Sequence, residues 1–241
     1  MKAMILAAGL GTRLKPWTDH HPKALAVVNG KSLVQRNIEY LQQFGISDVL
    51  VNVHHFADQI IDAVEKNNGW GSKVTISDET DEVLETGGGL KKAAWYFEGA
   101  SPFILMNVDI LTSLDLGTMI AAHQSSKPLA TLAISERKTS RYFLFDNQQN
   151  LRGWRNVQTG EEKPAGISTT IPELKQMAFS GIHIIDPSLL TLMERDGKFS
   201  MVDVYLDLSA RHTILGYDHT GAVLVDVGKP ESIIKAEEIF P

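Results

Sequence analysis

The sequence predicts an α/β fold built on a single doubly wound, Rossmann-like sheet that is mostly parallel and carries helices on both faces. Short apolar runs alternate with helical patterns through residue 125, which is typical of a parallel sheet covered by helices. The connections between them are short, as expected for right-handed crossovers. After residue 125, turn sequences between apolar runs predict a small antiparallel hairpin extension that forms one wall over the sheet.

In the first part of the chain, strands and helices alternate regularly. Ser32 has the side chain of an N-cap, and Gly45 stops the helix that follows it. The predicted strands are Lys2–Ala7, Asp48–Val53, Lys73–Ser77 and Pro102–Asn107, and the predicted helices are Leu33–Phe44, Phe56–Asn68, Gly89–Phe97 and Leu116–Gln124.

The second part is richer in strands. Glu161–Lys175, which contains Pro164, Gly166 and Pro172, is predicted to be a loop or flap, and Pro230 opens the last helix at its first position. The other predicted elements are strand Leu129–Ser135, hairpin strands Tyr142–Asp146 and Leu151–Arg155, strand Met177–Ile185, helix Met201–Leu208, and strands Ile214–Tyr217 and Ala222–Val225. We expect one domain over residues 1–241, with halves at 1–125 and 126–241.

Composition and charge exclude several classes of protein. Of 241 residues, 43% are hydrophobic and 22% charged, which argues against a disordered or coiled-coil chain. A formal net charge of −6 without a basic block argues against binding to nucleic acid or to a membrane surface. The absence of cysteine excludes disulfides and thiolate metal sites. The apolar start is short and is followed by Arg13 and Lys15, so a buried strand in a cytoplasmic protein is preferred over a signal peptide.

The most informative segment follows the first predicted strand. Gly9 and Gly11 allow backbone amides to point at an anion, and the small Ala7 and Ala8 leave room beside the strand end. A dinucleotide fingerprint would need a glycine where Leu14 stands, and the Gly-Lys-Ser/Thr of the other phosphate loop is absent. We interpret the segment as a phosphate cradle. The alternative is a tight surface turn.

Two cations lie close to this loop in sequence. Arg13 and Lys23 favour a polyphosphate over a single carboxylate as the ligand, because each cation can pair with a separate phosphate group. The alternative is that both charges are solvated.

Two aspartates follow predicted strands. Asp109 comes just after Pro102–Asn107, and Asp226 ends Ala222–Val225. In open parallel sheets ligands bind at the carboxyl ends of strands, so both can face the cradle. Two carboxylates with triphosphate oxygens would make a hard oxygen site suited to Mg²⁺. Taken singly, each aspartate is equally explained as a turn or cap residue.

Three glycines precede the predicted helix Gly89–Phe97. One glycine would satisfy a helix cap, so Gly87–Gly89 indicates that a flat or bulky ligand presses against bare backbone. The alternative is a flexible connector.

In their order along the chain, these motifs resemble the sugar-1-phosphate nucleotidyltransferase family. The resemblance is carried by Leu6–Leu14 with Pro16, Pro22 and Lys23, then Gly87–Gly89, Asp109 and Asp226–Glu231. The family implies a nucleotide-binding α/β fold in which a sugar 1-phosphate attacks the α-phosphorus of a nucleoside triphosphate and pyrophosphate leaves. The first half would then bind the nucleotide and the second half the sugar.

Carried over by motif, the resemblance implies catalytic roles for Arg13, Lys23 and Asp109, and Mg²⁺ binding by Asp109 and Asp226. It implies contacts with the nucleotide or the sugar for Ala8, Gly9, Gly11, Thr12, Arg13, Lys23, Glu85, Gly88, Asn107 and Lys163. Gly88 and its neighbours would approach the base.

Within the family, the chain looks most like the subgroup that makes UDP-N-acetylmuramate during peptidoglycan recycling. The cues are Glu85–Gly89, Asn107 close before Asp109, and the short chain. UTP is then the favoured nucleoside triphosphate, and thymidylyl, guanylyl and cytidylyl transfer stay open. A non-catalytic sensor of nucleotide sugars and a dinucleotide-dependent reductase are the other classes of function considered.

Three positions depart from the family's pattern. Val108 stands where a glycine usually precedes the metal aspartate, and Arg141–Phe143 lacks the acidic residue expected in the muramate subgroup. Glu162-Lys163-Pro164 resembles the family's sugar-phosphate motif, but its loop is unusually long. Oligomeric state is not predicted.

Overall fold

The computed structural model describes residues 1–171 and 173–241 of the chain. The strands are β1 (Lys2–Leu6), β2 (Val27–Val28), β3 (Lys31–Ser32), β4 (Asp48–Val53), β5 (Lys73–Asp78), β6 (Phe103–Asn107), β7 (Ile110–Thr112), β8 (Ala130–Ser135), β9 (Arg141–Phe145), β10 (Leu151–Asn156), β11 (Glu162–Lys163), β12 (Lys175–Ile185), β13 (Ile214–Asp218) and β14 (Leu224–Asp226). The helices are α1 (Leu33–Gln42), α2 (Ala57–Lys66), α3 (Glu85–Lys92), α4 (Leu116–Ser126), α5 (Ile167–Thr170), α6 (Ser188–Thr191), α7 (Met201–Leu208) and α8 (Pro230–Ile239).

A mixed sheet of ten strands confirms the predicted α/β fold. Its order is β11-β10-β9-β12-β6-β1-β4-β5, with β8 and β13 branching from β12. The pairs β6–β1, β1–β4 and β4–β5 are parallel, while β12 pairs antiparallel with β6, β8 and β9. These three parallel pairs come from the first half of the sequence, and the antiparallel extension comes from the second half, which also contributes the parallel pair β8–β13.

Local sequence signals explain most element ends. The Ser32 side chain accepts a hydrogen bond from the Gln35 amide at the start of α1, and Pro230 is the first residue of α8. The predicted hairpin is β9 and β10, which pair antiparallel. The predicted flap contains β11 and α5, and its Pro172 lies outside the described residues.

Two predictions need correction. Helix α3 begins at Glu85, four residues before the predicted start, so the three glycines lie inside the helix and not ahead of it. The strand that ends at Asp226 is not an edge of the large sheet. It pairs with β7, a three-residue strand that the sequence did not reveal, in a separate two-stranded sheet.

Buried apolar residues cover both faces of the sheet. Ala3 and Ile5 of β1 belong to one core cluster, with α1, α2, α4 and α8, whereas Met4 and Leu6 belong to the other, with α3 and α7. This alternation is expected because successive side chains of a strand point to opposite faces. Within the described ranges, the helices are all too short or too polar to cross a membrane.

Candidate active site

A cleft of about 510 Å³ lies at the carboxyl ends of the parallel strands. Leu6 of β1 is in register with Asn52 of β4 and with Asn107 of β6, and all three residues line the cleft. The segment from Ala7 to Arg13 forms the floor that continues β1. Strand topology therefore brings the carboxyl ends of three strands, two of which carry asparagine, to one place, where ligands bind in open parallel sheets.

The loop after β1 needs its glycines for different reasons. Gly11 has φ +62°, and a Cβ there would lie 2.9 Å from Cβ of Lys23 and 3.0 Å from Cγ2 of Thr18, so both conformation and space demand glycine. A Cβ on Gly9 would meet no described heavy atom within 4 Å. The space beside Gly9 is therefore open to the cleft, which suits close approach of a ligand to the backbone.

Each of the two predicted cations contacts one of the two predicted aspartates. Nζ of Lys23 forms an ion pair with Oδ2 of Asp109, and Lys23 is only 9% exposed. A guanidinium nitrogen of Arg13 lies 3.8 Å from Oδ1 of Asp226, with both side chains about half exposed. The structure thus brings together four residues that are far apart in sequence.

The backbones of the two aspartates are neighbours. Asp226 is in register with Ile110 across the β7–β14 pair, and the amide of Val227 donates a 2.8 Å hydrogen bond to the carbonyl of Asp109. Gly228 leaves room beside them, because a Cβ there would lie 2.6 Å from the Arg13 guanidinium and 2.7 Å from Oδ1 of Asp226. The backbones of Asp109 and Asp226 therefore lie side by side, although Asp226 is not among the residues that line the cleft. Joint binding of a metal by the two carboxylates stays a prediction.

These carboxylates fit a divalent cation of the Mg²⁺ type. Oδ1 of Asp226 is buried and accepts no hydrogen bond from the described residues, so a lone pair of a hard oxygen ligand is left free. In the part of the chain that the structure describes, no group of three or more His, Cys, Asp or Glu side chains gathers to bind a metal, so the protein would supply at most the two aspartates here. A cation here would complete its coordination with substrate oxygens and water.

The protein itself fills the space beside the three glycines. A Cβ on Gly87 would lie 2.5 Å from the Phe199 ring, and one on Gly88 would lie 2.2 Å from the carbonyl oxygen of Gly197. The amides of Gly87 and Gly88 also donate to the carbonyl of Phe199, at 2.9 and 3.2 Å. The bulky group that Gly87 and Gly88 accommodate is therefore the segment 197–199 of the protein itself. A contact of Gly88 with a base stays a prediction.

Segment 197–199 also brings a cation that sequence reasoning missed. Lys198 lines the cleft, and its Nζ lies 3.8 Å from Oε1 of Glu85, which lines the same side. Glu85 adopts φ +58°, a left-handed conformation that is uncommon for a residue with a side chain and that recurs at functional sites. No sequence motif distinguishes Lys198 from a surface lysine.

The side of the cleft that we expect to bind the sugar contains fewer of the predicted residues. Asn107 lines the cleft and packs against Gly181 of β12. A Cβ on Gly181 would lie 2.8 Å from Nδ2 of Asn107. Val108, at the position where the family usually has glycine, is 5% exposed and packs in the core, and its carbonyl accepts a 2.8 Å hydrogen bond from Asn37. Valine is therefore accommodated without disturbing Asp109.

Lys163 lies away from the cleft. Its Nζ is 3.2 Å from Oδ1 of Asp203 and 5.6 Å from the centre of the Trp154 ring, and it is not among the residues that line the cleft. The adjacent Glu162 is held by Arg155. Of the predicted site residues, Gly88, Lys163 and Asp226 are not among the described residues that line the cleft, and Asp226 alone of these forms an ion pair with a lining residue, Arg13. Contact of Lys163 with a sugar phosphate stays a prediction.

Known proteins resemble the chain over its whole length. A family model described as nucleotidyl transferase matches residues 2–240. An N-acetylmuramate alpha-1-phosphate uridylyltransferase of Caulobacter vibrioides is 32% identical over 98% of this chain and 95% of that protein. One from Neisseria meningitidis serogroup B is 31% identical over 95% and 93%. The crystal structure of HddC from Yersinia pseudotuberculosis complexed with GMP-PN has a TM-score of 0.79 and 29% identity, covering 100% of this chain and 99% of that one.

Proposed function

The chain belongs to the nucleotidyl transferase family, and from that premise we propose that it transfers a uridylyl group from UTP to N-acetylmuramate 1-phosphate, with Mg²⁺ as cofactor. The products are UDP-N-acetylmuramate and pyrophosphate, and the setting is cytoplasmic peptidoglycan recycling. The observation that carries the proposal is that Arg13, Lys23 and Asp109 line one cleft with the glycine loop, where Lys23 pairs with Asp109 and Arg13 pairs with Asp226. The choice of sugar and base is supported by two relatives of that name at 31–32% identity over nearly the whole chain.

In this reaction a phosphate oxygen of the sugar 1-phosphate attacks the α-phosphorus of the triphosphate. The bond from the α-phosphorus to the bridging oxygen breaks in line, and the electron pair leaves with pyrophosphate. The attacking oxygen is already anionic, so no protein nucleophile or general base is needed. The protein's task is to align the reactants and to stabilise negative charge that spreads in the transition state.

The residues of the cleft suit that task. The backbone of the Gly9–Thr12 loop cradles the triphosphate, and the Arg13 guanidinium neutralises charge on the departing pyrophosphate. Lys23 holds Asp109 in place and supplies a positive charge from a poorly solvated position. Asp109 and Asp226 would hold Mg²⁺, which supplies further charge neutralisation at phosphate oxygens.

A second candidate is guanylyl transfer to another sugar 1-phosphate. It is favoured by the 29% identity to HddC, whose structure was determined with GMP-PN, across the full length of both chains. It is also favoured by Arg141–Phe143, which lacks the acidic residue expected in the muramate subgroup. Purine and pyrimidine bases differ in size and in their hydrogen-bonding edges, so a substrate panel separates the two functions.

The experiment is a matrix of purified protein with UTP, GTP, CTP, dTTP or ATP and with the 1-phosphates of N-acetylmuramate, glucose or mannose. Pyrophosphate release is followed, and the nucleotide sugar is identified by mass spectrometry. We expect UTP with N-acetylmuramate 1-phosphate to give the highest kcat/KM, by about 10²-fold over the other pairs. Removal of divalent cations with a chelator should abolish turnover, and added Mg²⁺ should restore it.

Each other outcome of the matrix has a defined meaning. A preference for GTP establishes the second candidate in place of the first. Tight binding of a nucleotide sugar with no pyrophosphate formed in any combination would contradict an enzymatic role and favour a sensor. The matched control is Asp109→Asn, which removes one carboxylate charge while keeping nearly the same shape.

A further inference from the structure

A chain of buried hydrogen bonds beneath the end of β1 has no part in the mechanism above. The Ala7 amide donates to Oδ1 of Asn52 at 2.7 Å, and Nδ2 of Asn52 donates to Oε1 of Glu79 at 2.8 Å. Asn52 is 2% exposed, and Glu79 has no exposed surface. A buried glutamate that touches no cation is costly to maintain, so its retention needs an explanation.

The first link sets the point at which the backbone leaves the sheet. Leu6 is the last residue of β1 in register with β4, where it pairs with Asn52. Ala7 follows it, and the Asn52 side chain supplies the acceptor for the Ala7 amide. The next residues, Ala8 and Gly9, begin the loop that cradles the triphosphate, so the direction of that loop depends on this hydrogen bond.

The second link sets which way the Asn52 amide faces. The asparagine carboxamide has an acceptor oxygen and a donor nitrogen of similar size in equivalent positions. Its hydrogen-bond partners therefore determine which way it faces. Asn52 can accept the hydrogen bond from the Ala7 amide only when its Oδ1 faces Ala7. Oε1 of Glu79 is an obligatory acceptor in that position, and it makes the reversed orientation unfavourable.

Helix α3 closes the arrangement from the other side. A Cβ on Gly89 would lie 2.7 Å from Oε1 of Glu79 and 2.9 Å from Nδ2 of Asn52, so the helix backbone packs directly over the bond between them. The Glu79 amide donates 2.8 Å to the carbonyl of Val53, which anchors its backbone to β4. Burial raises the pKa of the Glu79 carboxyl. Its Oε1 accepts in either protonation state.

We propose that Glu79 is a positioning residue for the triphosphate loop, acting through Asn52 on the amide of Ala7. The inference rests on the proposed function, because the loop is taken to hold a nucleoside triphosphate. Glu79 itself does not line the cleft, and we assign it no contact with substrate.

Glu79→Gln and Glu79→Met form a matched pair. Glutamine keeps an acceptor at Oε1, whereas methionine has similar length and no acceptor. We expect KM for UTP to rise about tenfold in Glu79→Met and by less than about twofold in Glu79→Gln. KM for the sugar 1-phosphate should stay unchanged in both, and kcat should change by less than about threefold, because the loop binds ground and transition states alike.

A double variant tests whether the effect passes through Asn52. Asn52→Leu with Glu79→Met should raise KM for UTP no more than Asn52→Leu alone, since Glu79 then has no side chain to orient. Additive effects would overturn the proposal. Equal losses in Glu79→Gln and Glu79→Met would overturn it as well.

Gly89→Ala covers the case in which Glu79→Met does not fold. Alanine favours a helix more than glycine does, yet its Cβ presses on the bond between Asn52 and Glu79. We expect KM for UTP to rise several-fold and Tm to fall by a few degrees, because the added Cβ must displace this buried hydrogen bond, and an unchanged KM would overturn the proposal.

Hydrogen exchange separates this inference from the proposed function. If the wild-type protein turns over no nucleoside triphosphate, the proposed function fails, but the exchange rate of the Ala7 amide can still be measured. That amide should be protected in the wild type and in Glu79→Gln, and should exchange at least about tenfold faster in Gly89→Ala. Equal exchange in all three proteins would overturn the inference alone.

Discussion

The two walls of the cleft are built by different means. The wall from the first half consists of strand ends and the loops that leave them, so Asn52, Asn107 and Asp109 are placed by sheet register. The wall from the second half consists of segments that reach the cleft by packing, such as Gly197–Ser200 against the start of α3. Strand register positions residues through backbone hydrogen bonds, whatever their side chains are. The position of a packed segment depends instead on its individual side-chain contacts.

This difference explains why the residues predicted for the first wall line the cleft, whereas Lys163, predicted for the second wall, does not. On the first wall, the predicted anion loop and cations all face one cleft. On the second wall, Lys163 is paired with Asp203 outside the cleft, while the unexpected Lys198 faces into it. Apart from Asp226, which strand β14 places beside Asp109, substitutions on the first wall should therefore have the larger effects on activity.

The largest effect is expected for the aspartates. Asp226→Asn should lower kcat by about 10³-fold, because it removes a charged oxygen ligand while leaving the Arg13 cation without its partner. Initial rates of pyrophosphate release at saturating substrates measure it. Asp218→Asn, at the exposed end of β13 in the same half, is the matched control and should retain full activity. Near-normal turnover in Asp226→Asn would remove this residue from the metal site.

A smaller effect is expected for the exposed cation of the loop. Arg13→Met should lower kcat/KM for the triphosphate by about 10²-fold, since no other guanidinium lines the cleft within the described residues. Lys15→Met is the control, because Lys15 pairs with Asp19 and is not part of the cleft lining. Equal losses in both variants would indicate a general electrostatic effect and not a specific contact.

The two kinds of glycine give a direct test of the comparison. Gly87→Ala should lower the free energy of unfolding by about 2 kcal/mol, because its Cβ would overlap the Phe199 ring. The same change at Gly9 meets open space, so Gly9→Ala should leave stability unchanged and weaken binding of the triphosphate. Urea unfolding and KM for UTP measure the two properties. Loss of stability in Gly9→Ala would contradict the assignment of that space to a ligand.

The smallest effect is expected at Lys163. If it reaches the sugar phosphate after leaving Asp203, Lys163→Met should raise KM for the sugar 1-phosphate about fivefold and leave KM for UTP unchanged. Asp203→Asn breaks the same ion pair but retains the lysine, so it should not raise this KM. An unchanged KM in both variants would limit Lys163 to its surface ion pair.

Sequence reasoning succeeded where physical rules act over a few residues or through strand order. Apolar runs predicted the central strands to within a residue at each end, and the carboxyl-end rule predicted that Asp109 lies at the cleft. The rule does not account for Asp226, which lies next to Asp109 through the separate β7–β14 pair. Gly11 was identified because its neighbours made a loop necessary. These inferences needed no knowledge of which distant side chains touch.

The features that were missed depend on such contacts. Strand β7 has three residues and exists through its pairing with β14, so no local pattern marks it. The glycines of α3 were interpreted as space for a ligand, because Phe199 lies more than a hundred positions away in sequence. Asn52 did leave a signal, as a polar residue inside the apolar run from Val49 to Val53 of β4, and a buried polar residue needs a partner.

Strand β12 links the hairpin extension to the central sheet through one continuous backbone. Its first residues pair with β9 and its last with β6, and Gly181 between them adopts φ +72° beside Asn107. A substitution that changes the conformation of β12 near Gly181 should therefore move Asn107, on the side of the cleft proposed to bind the sugar, although the substituted residue touches no ligand. Directed-evolution libraries aimed at new acceptor sugars should include the strand and its hairpin neighbours, and not the cleft lining alone.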